Sequence, residues 1–190
     1  MKSSIFILIC TANLCFSQPN KLIYYTELSY KKFTALKEIN QVIDTSALDY
    51  ALFTAALFHL TNQERKKYRT APLQFLPALE QTAREHSQDM ARLNFFSHTS
   101  KIARKKTVSD RMKLVNTDAY YFGENIASTY IFYGETYLEL AEDLMKIWMN
   151  SSGHKKNILN RHYTHMGCGG FMTLDQEFLA TQNFSSDPIK

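Results

Sequence analysis

A change of hydrophobic period along the chain constrains its fold more than any single motif does. Up to about residue 150 apolar residues recur every three to four positions, and after residue 165 they form two runs around a turn. Leu52, Ala55, Ala56 and Leu60 mark a helix over 48–67, ending in the charged Gln63-Glu64-Arg65-Lys66-Lys67. Pro72 and Pro77 bracket a turn and a second helix start, from which Leu79, Ala83, His86, Met90 and Leu93 make one stripe. A third helix fits 134–150 through Leu138, Ala141, Leu144, Met145 and Trp148, and Ser151-Ser152-Gly153 breaks it. Residues 99–122 read as irregular apart from a short helix around 109–115, and another short helix is expected over 155–159. The glycine-rich run 166–173, a turn at Leu174-Asp175-Gln176 and the run 177–184 read as a β-hairpin. Helices early and strands late give an α+β domain, its sheet packed between or against helices.

Composition narrows the partners. The chain has 190 residues, 45% hydrophobic and 13% aromatic, enough for one domain with a real core. Its net charge is only +4, and acidic residues follow closely on the basic runs Arg65-Lys66-Lys67 and 101–106. A solvated face is the reading, and no nucleic-acid partner is expected. Lys2, the apolar Ile5-Phe6-Ile7-Leu8-Ile9-Cys10 and small Ser17 before Gln18-Pro19 read as a cleaved export signal over 1–17. The apolar run is too short for a stable membrane span. Cys10 and Cys15 raise a lipoprotein reading, against which stand the large Ile9 and Leu14 just before them. The expected location is therefore secreted or periplasmic. Once the signal leaves, only Cys168 remains, so no intramolecular disulfide can form and the core must hold the fold alone. Residues 18–47 read as an accessory segment, with Leu22, Tyr25, Leu28 and Phe33 at partial helical spacing, ahead of a main domain over 48–187.

Chemistry concentrates in three residues, His98, Glu124 and His154. Two imidazoles and a carboxylate suit a divalent metal such as Zn²⁺, with Glu124 as third ligand or as a base acting on metal-bound water. The groups stand 26 and 30 residues apart (98 to 124, 124 to 154), so only a fold can assemble them. The plain alternative is a buried hydrogen-bonded cluster that joins three loops. The remaining histidines take structural readings: His86 in the stripe of the second helix, His59 near the end of the first, His162 in a connection and His165 beside a strand. Cys168 lies between Gly167 and Gly169 without a cationic neighbour and reads as a buried thiol. Asn62 and Asn125 read as backbone-satisfying side chains and Trp148 as core, while Ser97, Ser151 and Ser152 lack a triad acid.

Seven pieces, in order, carry a family resemblance. They are Leu60-Thr61-Asn62-Gln63-Glu64-Arg65, Ala83-Arg84-Glu85-His86-Ser87-Gln88-Asp89-Met90-Ala91, Phe96-Ser97-His98-Thr99-Ser100, Gly123-Glu124-Asn125-Ile126-Ala127, the stretch 148–159, Thr164-His165-Met166-Gly167-Cys168-Gly169 and Thr181-Gln182-Asn183-Phe184. Together they resemble the CAP superfamily (cysteine-rich secretory proteins, antigen 5 and pathogenesis-related 1; the SCP domain), in its disulfide-free bacterial branch. The resemblance implies an α-β-α sandwich, a central antiparallel sheet flanked by helices, with a cavity lined by two histidines and acidic residues. His98 and His154 match the family histidines and Glu124 the glutamate of its Gly-Glu-Asn motif. The second family glutamate, after the tryptophan of the third helix, is missing from Trp148-Met149-Asn150-Ser151. Three functions compete: an exported module binding a lipid or an extracellular protein, a metal-dependent hydrolase or peptidase using Glu124 as base, and a structural envelope protein. A short metal motif such as His-Glu-x-x-His, which would favour the hydrolase, is absent from the sequence.

Overall fold

A computed structural model describes residues 22–115 and 121–186. The expected export signal lies outside them. Among the described residues, four strands and seven α-helices build three layers. The sheet has the order β1-β3-β4-β2, with β1 at Gln74–Phe75, β2 at Phe122–Tyr130, β3 at His165–Met172 and β4 at Glu177–Ser185. Strand β4 pairs antiparallel with both β3 and β2, while the two-residue β1 adds to β3 in parallel. One face carries α4 (Pro77–Arg92); the other carries α3 (Tyr50–Lys67) and α6 (Tyr137–Asn150).

Local chemistry sets the element ends. The Asp49 carboxylate accepts from Leu52 N–H at 3.0 Å at the start of α3. Pro77 opens α4, where its missing N–H costs nothing, and Thr136 and Glu139 close a reciprocal capping box on α6. The two short helices form as α5 (Val108–Lys113) and α7 (Ser152–Ile158), α7 starting within the stretch read as a break. Residues 173–176 make the hairpin turn, with Gln176 at φ 63°.

Alternation along β4 separates the two interiors. Phe178, Ala180 and Phe184 face α3 and α6, joining Phe53, Leu57, Leu140, Leu144 and Trp148 in the main core. Thr181 and Asn183 face α4, where they contact Ser87 and Thr82. Helix α4 lies directly on the backbone of β3 because Gly167 and Gly169 offer no side chain: a Cβ there would stand 2.1 Å from Glu80 N and 2.0 Å from Arg84 N.

The segment before α3 is built into this core. Its helices α1 (Ile23–Thr26) and α2 (Tyr30–Thr34) pack on α3, and Phe33 and Ile39 are fully buried. The Tyr25 hydroxyl donates to Glu80 Oε2 at 2.9 Å and lies 2.9 Å from Thr54 Oγ1. His59 Nε2 donates to Tyr24 O at 2.7 Å, its ring stacked on Phe33.

Candidate functional site

Glu124 is the third residue of β2, not a loop residue, and its side chain is 1% exposed. It faces the α4 layer opposite Asn183 of β4. Burying a carboxylate is costly unless it is paired, and here both oxygens are taken. Arg111 of α5 donates from Nη2 to Oε2 at 2.6 Å. His98 Nδ1 stands 2.9 Å from Oε1 and His86 Nε2 3.8 Å from the same oxygen. With its amide oriented to satisfy both ends, Asn183 adds a donor to Oε2 at 3.2 Å. Burial pushes the Glu124 carboxyl up, but the His98 bond and the Arg111 and His86 charges outweigh it and hold it below the ordinary glutamate range.

An ionised carboxylate only accepts, so His98 must donate from Nδ1, which turns Nε2 of its half-exposed ring away from Glu124. His98 is fixed from behind by its backbone as well: Arg111 Nη1 and Nη2 both reach His98 O at 3.3 Å. Arg111 is 1% exposed and also donates to Lys105 O at 3.0 Å, so one guanidinium ties the 98–106 loop to β2.

His154 arrives from the opposite layer, around the edge of the sheet. Asn125, one residue after Glu124 and so on the other face, donates from Nδ2 to His154 O at 3.2 Å and to Gln182 Oε1 at 3.0 Å. Asn157 Nδ2 donates to Asn125 Oδ1 at 2.9 Å, and Gln182 Nε2 reaches Thr61 Oγ1 of α3 at 2.7 Å. This polar spine seats α7 on β2. Burial, then the nearby His98, depress the pKa of His154. The three sequence candidates thus converge on one edge of the sheet, with His98 and His154 within electrostatic reach.

Two members of the cluster escape sequence reasoning. His86, expected as a satisfied core histidine, is fully buried, and its Nε2 donates to Ser97 O at 3.0 Å beside Glu124. Burial lowers its pKa, Arg111 adds to this, and Glu124 opposes it only in part. Its position on the stripe is the available signal. Arg111 carries none, because a cation on a short helix reads as solvated. Cys168 is buried, with its thiol pushed far up by burial, and Asn62 exchanges two hydrogen bonds with the Leu73 backbone, as expected for both.

Among the described residues no group of three or more His, Cys, Asp or Glu side chains could hold a metal ion. A three-ligand centre including Glu124 is a poor fit, since Arg111 and His98 occupy its oxygens. Two imidazoles fit better: His98 has Nε2 free of Glu124, and His154 Nδ1 is a buried nitrogen without a protein partner among the described residues. Glu124 then stands behind His98 as the group that orients it. A groove of about 450 Å³ between α3 and α6 lies elsewhere and is lined by residues such as Leu60, Tyr68 and Met149.

A model of the cysteine-rich secretory protein family, CAP, matches residues 58–184. The uncharacterized protein YkwD of Bacillus subtilis is 36% identical over 138 residues, 73% of this chain and 50% of that protein. The chain spans about half the length of the curated relatives it matches. Among solved structures, an extracellular protein containing a SCP domain from Bacillus anthracis aligns with a TM-score of 0.59 at 30% identity, over 73% of this chain and 41% of that one. An outer surface protein from Borrelia burgdorferi aligns with a TM-score of 0.58 at 21% identity, over 70% of this chain and 90% of that one, a likeness of fold alone.

Proposed function

The chain belongs to the cysteine-rich secretory protein (CAP) family, and from that membership we propose that it acts outside the cytoplasm as a ligand-binding module seated on His98 and His154. Residues 1–17 serve as the export signal, 18–47 as an accessory segment and 48–187 as the CAP domain. The sequence of the first 17 residues supports export, as does the extracellular description of the SCP-domain relative from Bacillus anthracis.

One observation carries the reading: Glu124, itself locked by Arg111, holds His98 at 2.9 Å through Nδ1. A purely structural histidine would turn its polar atoms inward. This one spends one nitrogen on orientation and leaves the other for a partner, with side-chain exposure of 50%. Preorganisation of this kind lowers the entropy lost on binding. A divalent cation such as Zn²⁺ would be held by His98 Nε2 and a His154 nitrogen. When bound, it would supply a Lewis-acid anchor for an anionic or carbonyl ligand. The hydrolase reading is weaker, because a base whose two oxygens serve Arg111 and His98 is poorly placed to take a proton. A lipid or an extracellular protein is the partner class that the family resemblance brings.

Calorimetric titration of metal-stripped protein with Zn²⁺ tests the seat, beside the double variant His98→Ala, His154→Ala. One-to-one binding that disappears in the variant is expected. Absent binding, or equal binding in both proteins, removes the metal from the account, and organic extraction of the purified protein then tests for a retained lipid.

A further inference from the structure

Strand β2 is an edge of the sheet, bonded to β4 on one side only. Tyr121 O accepts from Ser186 N–H at 3.1 Å, just before the paired Phe122 and Ser185. The odd-numbered residues of β2 therefore turn their backbone groups toward β4, and the even-numbered ones turn theirs outward. At the start of the strand the outward carbonyls are used. The Tyr163 hydroxyl donates to Phe122 O at 3.0 Å and Asn157 Nδ2 to Glu124 O at 3.3 Å. Past the other end the chain folds on itself, Glu135 N–H donating to Phe132 O at 3.1 Å and Phe132 N–H to Glu135 Oε2 at 2.8 Å. Between these ends the edge is open. Among the described residues the outward N–H and C=O of Ile126 and Ser128 have no hydrogen bond, and Tyr130 O meets only the Thr129 hydroxyl, at 3.5 Å.

Nothing along this stretch guards against pairing. Natural edges are blunted by lysine, proline or a bulge. Here the ladder runs from Phe122 to Tyr130 without a bulge, and Asn125 to Gly134 contains no charged residue and no proline. Tyr130, Phe132 and Tyr133 instead stand 55%, 64% and 107% exposed.

Charge distinguishes the two ends of the edge. Beyond its end a groove is lined by Glu135, Glu139, Glu142 and Asp143 against one cation, Lys146, which is bound to Asp143 at 2.7 Å. At its start sits α7, held to β2 through Asn125 and Asn157. Lys156 of α7 is exposed and has no ion-pair partner among the described residues.

We propose that this edge docks a second copy of the chain, β2 against β2, antiparallel about a two-fold axis at Ser128. Ser128 then faces Ser128 and each Ile126 faces a Tyr130, so the open N–H and C=O groups of the two edges match. Antiparallel pairing also brings the acidic groove of each copy to the α7 end of the other, on the same face of the joined sheet. A foreign strand would satisfy the backbone groups alone; a second copy satisfies them and the charge at both ends. A short strand and a few rings from each copy bury less than about 1,200 Å², which places the dimer in the weak, transient class.

The test uses the mature chain with a chelator present, so that no metal bridges two imidazole seats. Sedimentation from about 10 μM to about 1 mM should show monomer passing to dimer and nothing larger, because a two-fold contact closes. Hydrogen exchange reads the register. The Ser128 and Tyr130 amides should exchange more slowly at high concentration, while those of Ala127 and Thr129, bonded to β4, stay protected throughout. Ser128→Pro removes an outward N–H, which an edge strand tolerates, and should abolish the dimer. Lys156→Glu, at an exposed position, should weaken it roughly tenfold at low salt. A chain that stays monomeric at about 1 mM, Ser128 and Tyr130 amides indifferent to concentration, or a dimer unchanged in either variant would each overturn the proposal. Zn²⁺ binding is read in a different experiment, so either site can fail without the other.

Discussion

Replacing Gly169 with alanine should dislodge α4 from the sheet. The new Cβ would stand 2.0 Å from Arg84 N and 2.4 Å from Ala83 C, where ordinary contact begins at 3.4 Å, so the helix must recede by 3.4 − 2.0 = 1.4 Å. The obstacle is backbone, which cannot swing aside as a side chain would. Ser87 Oγ lies 2.9 Å from Thr181 Oγ1, and a recession of that size takes the pair beyond hydrogen-bond range. Overpacking a core costs about 1–3 kcal/mol and stranding a buried polar pair about 1–3 more. The expected loss is therefore about 2–6 kcal/mol, a large part of the roughly 5–15 kcal/mol that holds such a domain. Urea unfolding followed by circular dichroism reads this directly. With a slope of about 1.5–2 kcal/mol per molar, the midpoint should fall by about 2 M. Gly153→Ala is the control, because nothing lies within 4 Å of the Cβ and the site is in α7; it should be neutral or stabilise by up to about 1 kcal/mol. A Gly169→Ala protein within about 1 kcal/mol of the parent would refute the direct helix-on-backbone packing.

Three further outcomes are expected. Arg65, 1% exposed and with its pKa depressed by burial to about 10, donates to the carbonyls of Ala71, Ile158, Asn160 and Tyr163; Arg65→Ala strands them and should cost at least about 3 kcal/mol by thermal unfolding, with α7 loosening first. His59, His86 and His154 have depressed pKa values in the fold, mainly through burial, so their contribution is complete above the unfolded histidine pKa of about 6.5 and is lost as pH falls toward the folded values. Stability should therefore drop as pH falls below about 6.5, by up to about 1.4 kcal/mol per pH unit for each proton taken up on unfolding, with a shallower slope in His86→Gln. Gln176→Gly should stabilise the protein by about 1 kcal/mol in calorimetry, since a side chain at φ 63° is strained where glycine is not.

Helices α4 and α6 are legible because each buries one side against the core, which leaves a period in the sequence; α3, buried on every side over 52–61, and the hairpin strands, buried along most of their length, are legible instead as apolar runs bounded by charged residues or a turn. Strand β2 is not. Residues 123–127 are all buried, so alternation disappears, and Gly123-Glu124-Asn125 reads as a polar loop. Both faces are covered, Glu124 by the α4 layer and Asn125 by α7. Residues 74–75 read as part of a turn because a two-residue strand has no period at all. At the site, His98, Glu124 and His154 emerge through motif order. Arg111 stays hidden because its burial depends wholly on what packs over α5. His86 falls in a buried stripe, but periodicity cannot say that the stripe meets a carboxylate. Phe33 shows only a partial stripe and Ile39 none, because their helices are too short to carry a full one.

The central claim is that Glu124 orients His98 so that Nε2 faces a ligand, and the tautomer of His98 tests it most directly. Long-range proton–nitrogen correlation on the labelled protein at pH 8 should show His98 protonated at Nδ1 with Nε2 bare, and Nε2 should be the nitrogen that shifts when Zn²⁺ is added. A His98 protonated at Nε2, or one whose nitrogens ignore both Zn²⁺ and Glu124→Gln, would contradict the account and leave the cluster as a structural tie between loop, strand and helix.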